Sequence, residues 1–212
     1  MARPRTKPKP DKPSPQKRAT RDPAAKRQRI LDAAAELFGQ SGYRSTGTAD
    51  IARRANVSEG LIFHHFGNKR GVLLAMATEH GRAVARVMLD ALMETEELEL
   101  EPMLRSVFTY VSEHRHFHEL VVATEDPEDR MSAAETQRAI IVAAIRATLT
   151  MWSEQGRVRT ERLDIAASLL YGIVETALND CFMRGDGTKM EAYVREATLF
   201  CENAISGEVG RA

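Results

Sequence analysis

Phe63, His64, His65 and Phe66 stand side by side in the stretch VSEGLIFHHFGNK, Val57 to Lys69. Two neighbouring histidines suit a metal site, a catalytic base or a contact surface. Adjacent residues on a helix point about 100° apart, so His64 and His65 do not converge easily on one ion. A helical zinc pair needs a second histidine four residues away, and neither has one. The chain also lacks a GxSxG nucleophile turn and a phosphate-cradling glycine loop. A contact surface is the reading that survives, with His65 as a packed core residue its plainer alternative. The second cluster, HRHFHE, holds His114, His116 and His118. On a strand these three would line one face, as metal ligands do. The flanking residues instead read as the end of one helix and the start of another, which breaks that alignment. A helical metal-binding protein or enzyme using this cluster is the alternative function; the favoured reading has no metal, no cofactor and no catalytic residue.

The elements that hold Phe63–Phe66 explain the contact surface. Asp22 suits an N-cap and Pro23 a first helical position. Ile30, Ala33, Ala34, Leu37 and Phe38 then recur on one helix face, and Gly39 or Gly42 ends the helix. Thr46 can cap the next helix, with Asp50 in its first turn. Asn56 tolerates the left-handed conformation of a tight turn. Ser58 caps a helix over about Glu59–Phe66, and Asn68 caps another that starts at Lys69. Two short helices joined by so short a turn form a helix-turn-helix over about residues 47–66.

The second helix of such a unit lies in the major groove of DNA. That places Glu59, Gly60, Leu61 and His64 at base edges, Leu61 against a thymine methyl. His65 and Lys69 fall near phosphates, Lys69 beside helix-end amides. Ile62 and Phe66, four apart, turn inward. Thr46, Thr48, Ser58 and Phe63 complete the expected DNA-facing set.

Charge supports a polyanionic partner. The net charge of zero hides a split: residues 1–70 carry 16 Lys/Arg against 6 Asp/Glu, and residues 71–212 carry 14 against 24. A basic unit joined to an acidic body points to nucleic acid, with an anionic membrane surface as the alternative. Residues 1–22 hold five prolines and eight Lys/Arg; they read as a disordered basic tail, in which Lys17, Arg18 and Arg21 reach the duplex. Two cysteines make no disulfide framework, and no apolar leader opens the chain, so a cytoplasmic protein is expected. The longest apolar run, Ala139–Ile145, is too short to span a bilayer.

Beyond residue 70 the pattern is helical, over roughly 69–94, 99–114, 117–123, 132–155, 162–184 and 188–206, with breaks at Pro102, Pro127, Gly156 and Arg184–Gly187. No run with the period of a strand occurs, so the fold class is all-α.

The segments RILDAAAELFGQSGYRST and ADIARRANVSEGLIFHHFGNKRGVLL resemble the TetR family of bacterial transcriptional regulators, over about residues 26–74. SEQGRVRTERLDIAASLLYGIVETAL resembles the family's junction between its seventh and eighth helices. The resemblance implies a three-helix DNA-binding domain (residues 23–70), then a larger helical domain (71–212) that binds an effector and dimerises. It implies a repressor that leaves a palindromic operator when a small, lipophilic effector binds. The chain departs from the family pattern at Asn56, Leu61 and Phe63, where Gly, Thr and Tyr are frequent; Phe63 lacks the hydroxyl that donates to a phosphate. Between helices, Met88, Phe108, Val111, Trp152 and Tyr171 are candidates to line the effector pocket. For the homodimer interface the candidates are Ser168, Gly172, Glu175 and Asn179 on one helix and Val194, Ala197 and Cys201 on the last. Mid-helix Gly172 suggests close approach of another backbone.

Deleting residues 1–22 is expected to lower DNA affinity with little loss of specificity. If its cations reach the duplex, the slope of log K against log salt becomes shallower by about 2–3 units. An unchanged slope in a salt titration would make the tail a passive leader.

Overall fold

The computed structural model describes residues 22–93, 99–115, 117, 120, 124, 126–158 and 162–206. Residues 1–21 of the proposed tail lie outside these residues, Lys17, Arg18 and Arg21 among them, as do His116 and His118; Asp22 belongs to the start of the first helix. Eight α-helices are described: α1 (Pro23–Ser41), α2 (Thr48–Ala55), α3 (Glu59–Phe66), α4 (Lys69–Met93), α5 (Leu100–Glu113), α6 (Pro127–Glu154), α7 (Leu163–Leu178) and α8 (Met190–Ser206). No strand occurs among the described residues.

Local chemistry sets the boundaries of the first unit. Asp22 accepts the Ala24 amide at 2.9 Å and Pro23 opens α1. The helix runs through Gly39 and stops at Gly42, whose φ of 82° is open to a residue without Cβ. Asn56 sits at φ 53°, ψ 52°. Around it the Asn56 amide donates to Arg53 O at 3.3 Å and the Val57 amide to Ala52 O at 3.0 Å, a Schellman closure. Asn68 caps α4, its side chain accepting the Gly71 amide at 2.8 Å. The inward faces of α1–α3 and the start of α4 meet in one core built on Ile30, Ala34, Phe38, Ile51, Ile62 and Leu73.

Two sequence expectations about helix starts are corrected. Thr46 does not cap α2. It is 3% exposed, and its hydroxyl donates to Gly42 O at 2.9 Å. Gly47 holds the cap position instead, and Asp50 accepts its amide at 3.1 Å. Pro127 is no break: it opens α6, where Asp126 accepts the amides of Glu128 at 2.9 Å and Asp129 at 3.1 Å. Proline at the first helical position loses only an amide that has no helical partner anyway.

The larger unit packs α4, α5 and α6 side by side, with α7 and α8 closing against α6 and α5. After Leu178 the helix widens into a π-helical turn, Asn179–Met183. Together these form a helical stretch, Leu163–Met183, long and apolar enough to cross a membrane by length and composition. The apolar stretch of this chain is therefore longer than Ala139–Ile145 suggested. One flank of α7 is core, through Ala167, Leu170 and Leu178; the other leaves Ile165 and Leu169 exposed.

Asn56→Ala should cost about 1 kcal/mol, because alanine lacks the short polar side chain that eases the left-handed region, whereas Asn56→Gly, without a Cβ to strain, should be nearly neutral. Thermal unfolding of both variants measures the difference; equal losses would mean that the Asn56 side chain, not its backbone, holds the turn.

Candidate nucleic-acid interface and inner cavity

On α3 the inward side chain is Ile62, fully buried, and Phe66 and Leu61 are half-buried against the same core. Leu61 thus offers only part of its surface to a partner. Ser58, Glu59, Gly60, Phe63 and His64 are exposed, and His65 is half-buried. The His65 ring lies between its neighbours, 5.2 Å from His64 and 6.0 Å from Phe66 by ring centroids. Ser58 occupies the N-cap position without spending its hydroxyl on the helix. Thr48, at the start of α2, donates to the Glu59 carboxylate at 2.6 Å. The two helix starts are therefore tied together on one exposed face, the geometry a reading head needs.

Two candidates have different surroundings from those expected. Thr46 faces inward, as described above, and does not reach this surface. Lys69 lies over the Tyr43 ring, 4.4 Å from its centroid, and its ammonium donates to Tyr43 O at 3.0 Å and Arg44 O at 3.4 Å. An ammonium has three donors, so Lys69 can hold the Tyr43–Arg44 loop and still offer one to a phosphate. Other cations of the head are matched internally. Arg53 pairs with Asp50, Arg54 with Glu36 at 2.5 Å, and Arg27 with Glu79 at 2.7 Å.

Sequence reasoning missed the joint between the two units. The Tyr43 hydroxyl donates to Asp129 at 2.7 Å. The Arg70 guanidinium meets Glu128 at 3.0 Å, Asp129 at 3.1 Å and the Ser132 hydroxyl at 2.7 Å. Burial and the Asp129 carboxylate push the Tyr43 phenol well above its ordinary range. Tyr43 and Arg70 belong to the head, whereas Asp129 opens α6. The acidic run EDPED was a usable signal; its partners, dozens of residues away, were not readable from spacing.

Within the larger unit α4–α8 enclose a cavity of about 80 Å³. Met88, Val111, Trp152 and Tyr171 line it. Phe108 does not; it is fully buried in the adjoining core, its ring 6.1 Å from Phe182.

The expected dimer residues divide. Gly172 is exposed, with open space where a Cβ would stand; among the described residues no backbone approaches it. Ser168 is half-buried. Glu175 turns to the cavity, and Asn179 donates to it at 3.3 Å. Val194, Ala197 and Cys201 lie in the chain's own core, the opposite of a free stripe. Burial also pushes the Cys201 thiol up to about 11. The exposed apolar side chains of this region are Ile165, Leu169, Leu199 and Phe200, the second and fourth 63% and 66% exposed. The stripe on α8 was misread because either face offers small apolar residues, and only packing tells which one is inside.

Of the histidine cluster, only His114 is among the described residues. α5 ends at Glu113, and His114 follows as its C-cap at φ −114°, stacked on Tyr110 at 4.1 Å. Its Nδ1 lies 2.8 Å from Tyr110 O.

Comparison with known proteins bears on this geometry. The family described as bacterial regulatory proteins, tetR family, matches residues 30–76. The chain is 51% identical over 53 residues to an uncharacterized HTH-type transcriptional regulator, YvkB, of Bacillus subtilis; the match covers 25% of this chain and 28% of that one. It is 29% identical over 163 residues to the HTH-type transcriptional repressor AcnR of Corynebacterium efficiens, covering 76% and 82% of the two chains. Among solved structures, SmeT in complex with triclosan superposes with a TM-score of 0.63 at 20% identity, over 83% of this chain and 91% of that one.

His64→Ala should change base preference at one position of each half-site by about 1–3 kcal/mol. Lys69→Ala should weaken all duplexes about equally, since a phosphate contact carries no sequence information. Binding across single-base variants of a selected operator separates the two. An unchanged profile for His64→Ala would remove it from the readers.

Proposed function

We propose, from the match of residues 30–76 to the TetR family of bacterial regulatory proteins, that the chain is a ligand-responsive repressor acting as a homodimer on a palindromic operator. A DNA-binding transcriptional regulator is its general class; repression, the dimer and the effector are the finer reading. Repression is supported by the name of the AcnR relative. An effector is supported by the cavity and by the triclosan bound to the structural relative SmeT. The reading contacts it assigns are Ser58, Glu59, Gly60, Phe63 and His64, with Thr48, Leu61, His65 and Lys69 beside them.

One observation carries this reading: α6 serves both sites. Its middle and end line the cavity through Ile141, Ile145 and Trp152. Its first turn grips the reading head through Asp129 and Glu128. An occupant that shifts α6 along or about its axis therefore moves the head. Two heads must hold a fixed separation to reach half-sites about one helical turn apart, so a change of tilt releases DNA.

The subunit contact is assigned to the exposed flank of α7 and α8: Ile165, Leu169, Gly172, Leu199 and Phe200. A two-fold contact of this kind is self-complementary. Large apolar side chains on facing helices supply its core, and Gly172 lets the two α7 backbones come close. The same apolar flank accounts for the membrane-like composition of Leu163–Met183.

Leu169→Glu should convert a dimer into a monomer by light scattering and weaken operator binding by about a hundredfold or more, since a buried unpaired carboxylate is strongly disfavoured. The circular dichroism of the monomer should stay helical. A monomeric wild-type protein, or a Leu169→Glu dimer with normal operator affinity, would overturn the assignment.

A further inference from the structure

The cavity wall is apolar except for four side chains: Gln137 and Thr148 from α6, Tyr171 and Glu175 from α7. Thr148 is satisfied by its own helix, its hydroxyl donating to Ala144 O at 3.1 Å. Gln137 is not. It is 5% exposed, and among the described residues its carboxamide makes no hydrogen bond. Its helix turn is also held in place, because Gly81 of α4 packs so closely that a Cβ there would lie 3.2 Å from Gln137 O. Its amide atoms thus border the open space of the cavity, at a position where an ordinary core would carry leucine.

Glu175 is the second unusual group. Its half-buried carboxylate accepts from the Asn179 amide at 3.3 Å, and the Tyr171 phenol stands near it. Both neighbours are neutral. Arg138 lies 5.8 Å from the Tyr171 ring centroid but bonds Glu135, and among the described residues no cation pairs with Glu175. A carboxylate has about four acceptor sites, so acceptor capacity remains at the edge of an apolar space.

We infer that this cavity takes a hydrophobic molecule with a hydrogen-bond-donating head, an ammonium or a hydroxyl, and rejects hydrophobic anions. Glu175 accepts from the head, and Gln137 supplies the complementary amide. A fatty carboxylate would bring a second negative charge to Glu175 in a medium that screens poorly. The inference rests on the effector reading above and narrows it to a chemical class.

Trp152 is the chain's only tryptophan and lines the cavity, so its fluorescence reports occupancy. The test titrates the full-length protein near neutral pH with n-octylamine, 1-octanol and octanoate, and follows operator release in parallel. The amine and the alcohol should each bind about tenfold or more tighter than octanoate. An amine that outbinds the alcohol identifies a cationic head, and parity identifies a neutral donor. Glu175→Gln should bring the three within about threefold of one another. Gln137→Leu should raise the melting temperature, by removing the unpaired amide, while weakening the alcohol; this variant keeps the test alive if Glu175→Gln does not fold. Octanoate that binds as well as the others and releases the operator would overturn this inference and leave the effector reading standing. An unchanged ranking in Glu175→Gln would overturn it too. Failure of all three probes to bind or to release the operator would overturn both.

Discussion

The bond from Tyr43 and Arg70 to the first turn of α6 is the constraint on which the arrangement of the two units depends. Carboxylates at a helix start already lie well, facing the positive end of the helix dipole. Here they do a second task. Asp129, its side chain 18% exposed, holds both the Tyr43 hydroxyl and Arg70, whereas Glu128 is 79% exposed and screened by water. Asp129 is thus the less screened arm of the joint, through its hydrogen bond from the Tyr43 hydroxyl and its ion pair with Arg70, since contacts out of bulk water contribute more than exposed pairs. Lys69 then fastens the Tyr43 carbonyl from the other side. The loop before α2, the start of α4 and the start of α6 are fixed by one chain of contacts.

The inner cavity is small for the task proposed for it. Pockets for drug-sized ligands run to about 300–1,000 Å³, several times the 80 Å³ enclosed here. Any sizeable occupant must therefore push its walls outward. Met88 and Met103 can yield by rotamer changes, whereas the Gln137 turn of α6 packs closely on Gly81 of α4. In the mechanism proposed above, the response is displacement of α6 as a body. A ligand shifts the balance between two such arrangements only by its difference in affinity for them, and a cavity that is nearly closed in one arrangement makes that difference large.

Much of the head was legible in the sequence because its signals are local. Asp22, Asn56 and Asn68 each satisfy or permit backbone geometry within three residues, and their roles follow from residue type. The all-helical class followed from periodicity. Thr46 failed because a hydroxyl can cap a helix or be buried against a preceding carbonyl, and Thr46 does the second. Val194, Ala197, Cys201 and Glu175 failed for a different reason. Inside and outside are tertiary properties, and α8 carries apolar residues on two flanks. The Asp129 joint combines residues 86 positions apart, a separation at which no pattern in one sequence speaks.

The internal pairing of the head's cations changes how the protein meets DNA. Residues 23–70 carry eight Lys/Arg, and four of them, Arg27, Arg53, Arg54 and Arg70, are engaged with carboxylates of the chain itself. Paired charges project little field beyond a Debye length of about 8–10 Å. Residues 1–22 carry as many cations, eight, against only two acids. Diffusional capture and travel along the duplex depend on long-range field, whereas recognition depends on contact. If the first residues reach the duplex, the two tasks divide: those residues govern how fast DNA is found, and the internally paired head governs where the search stops.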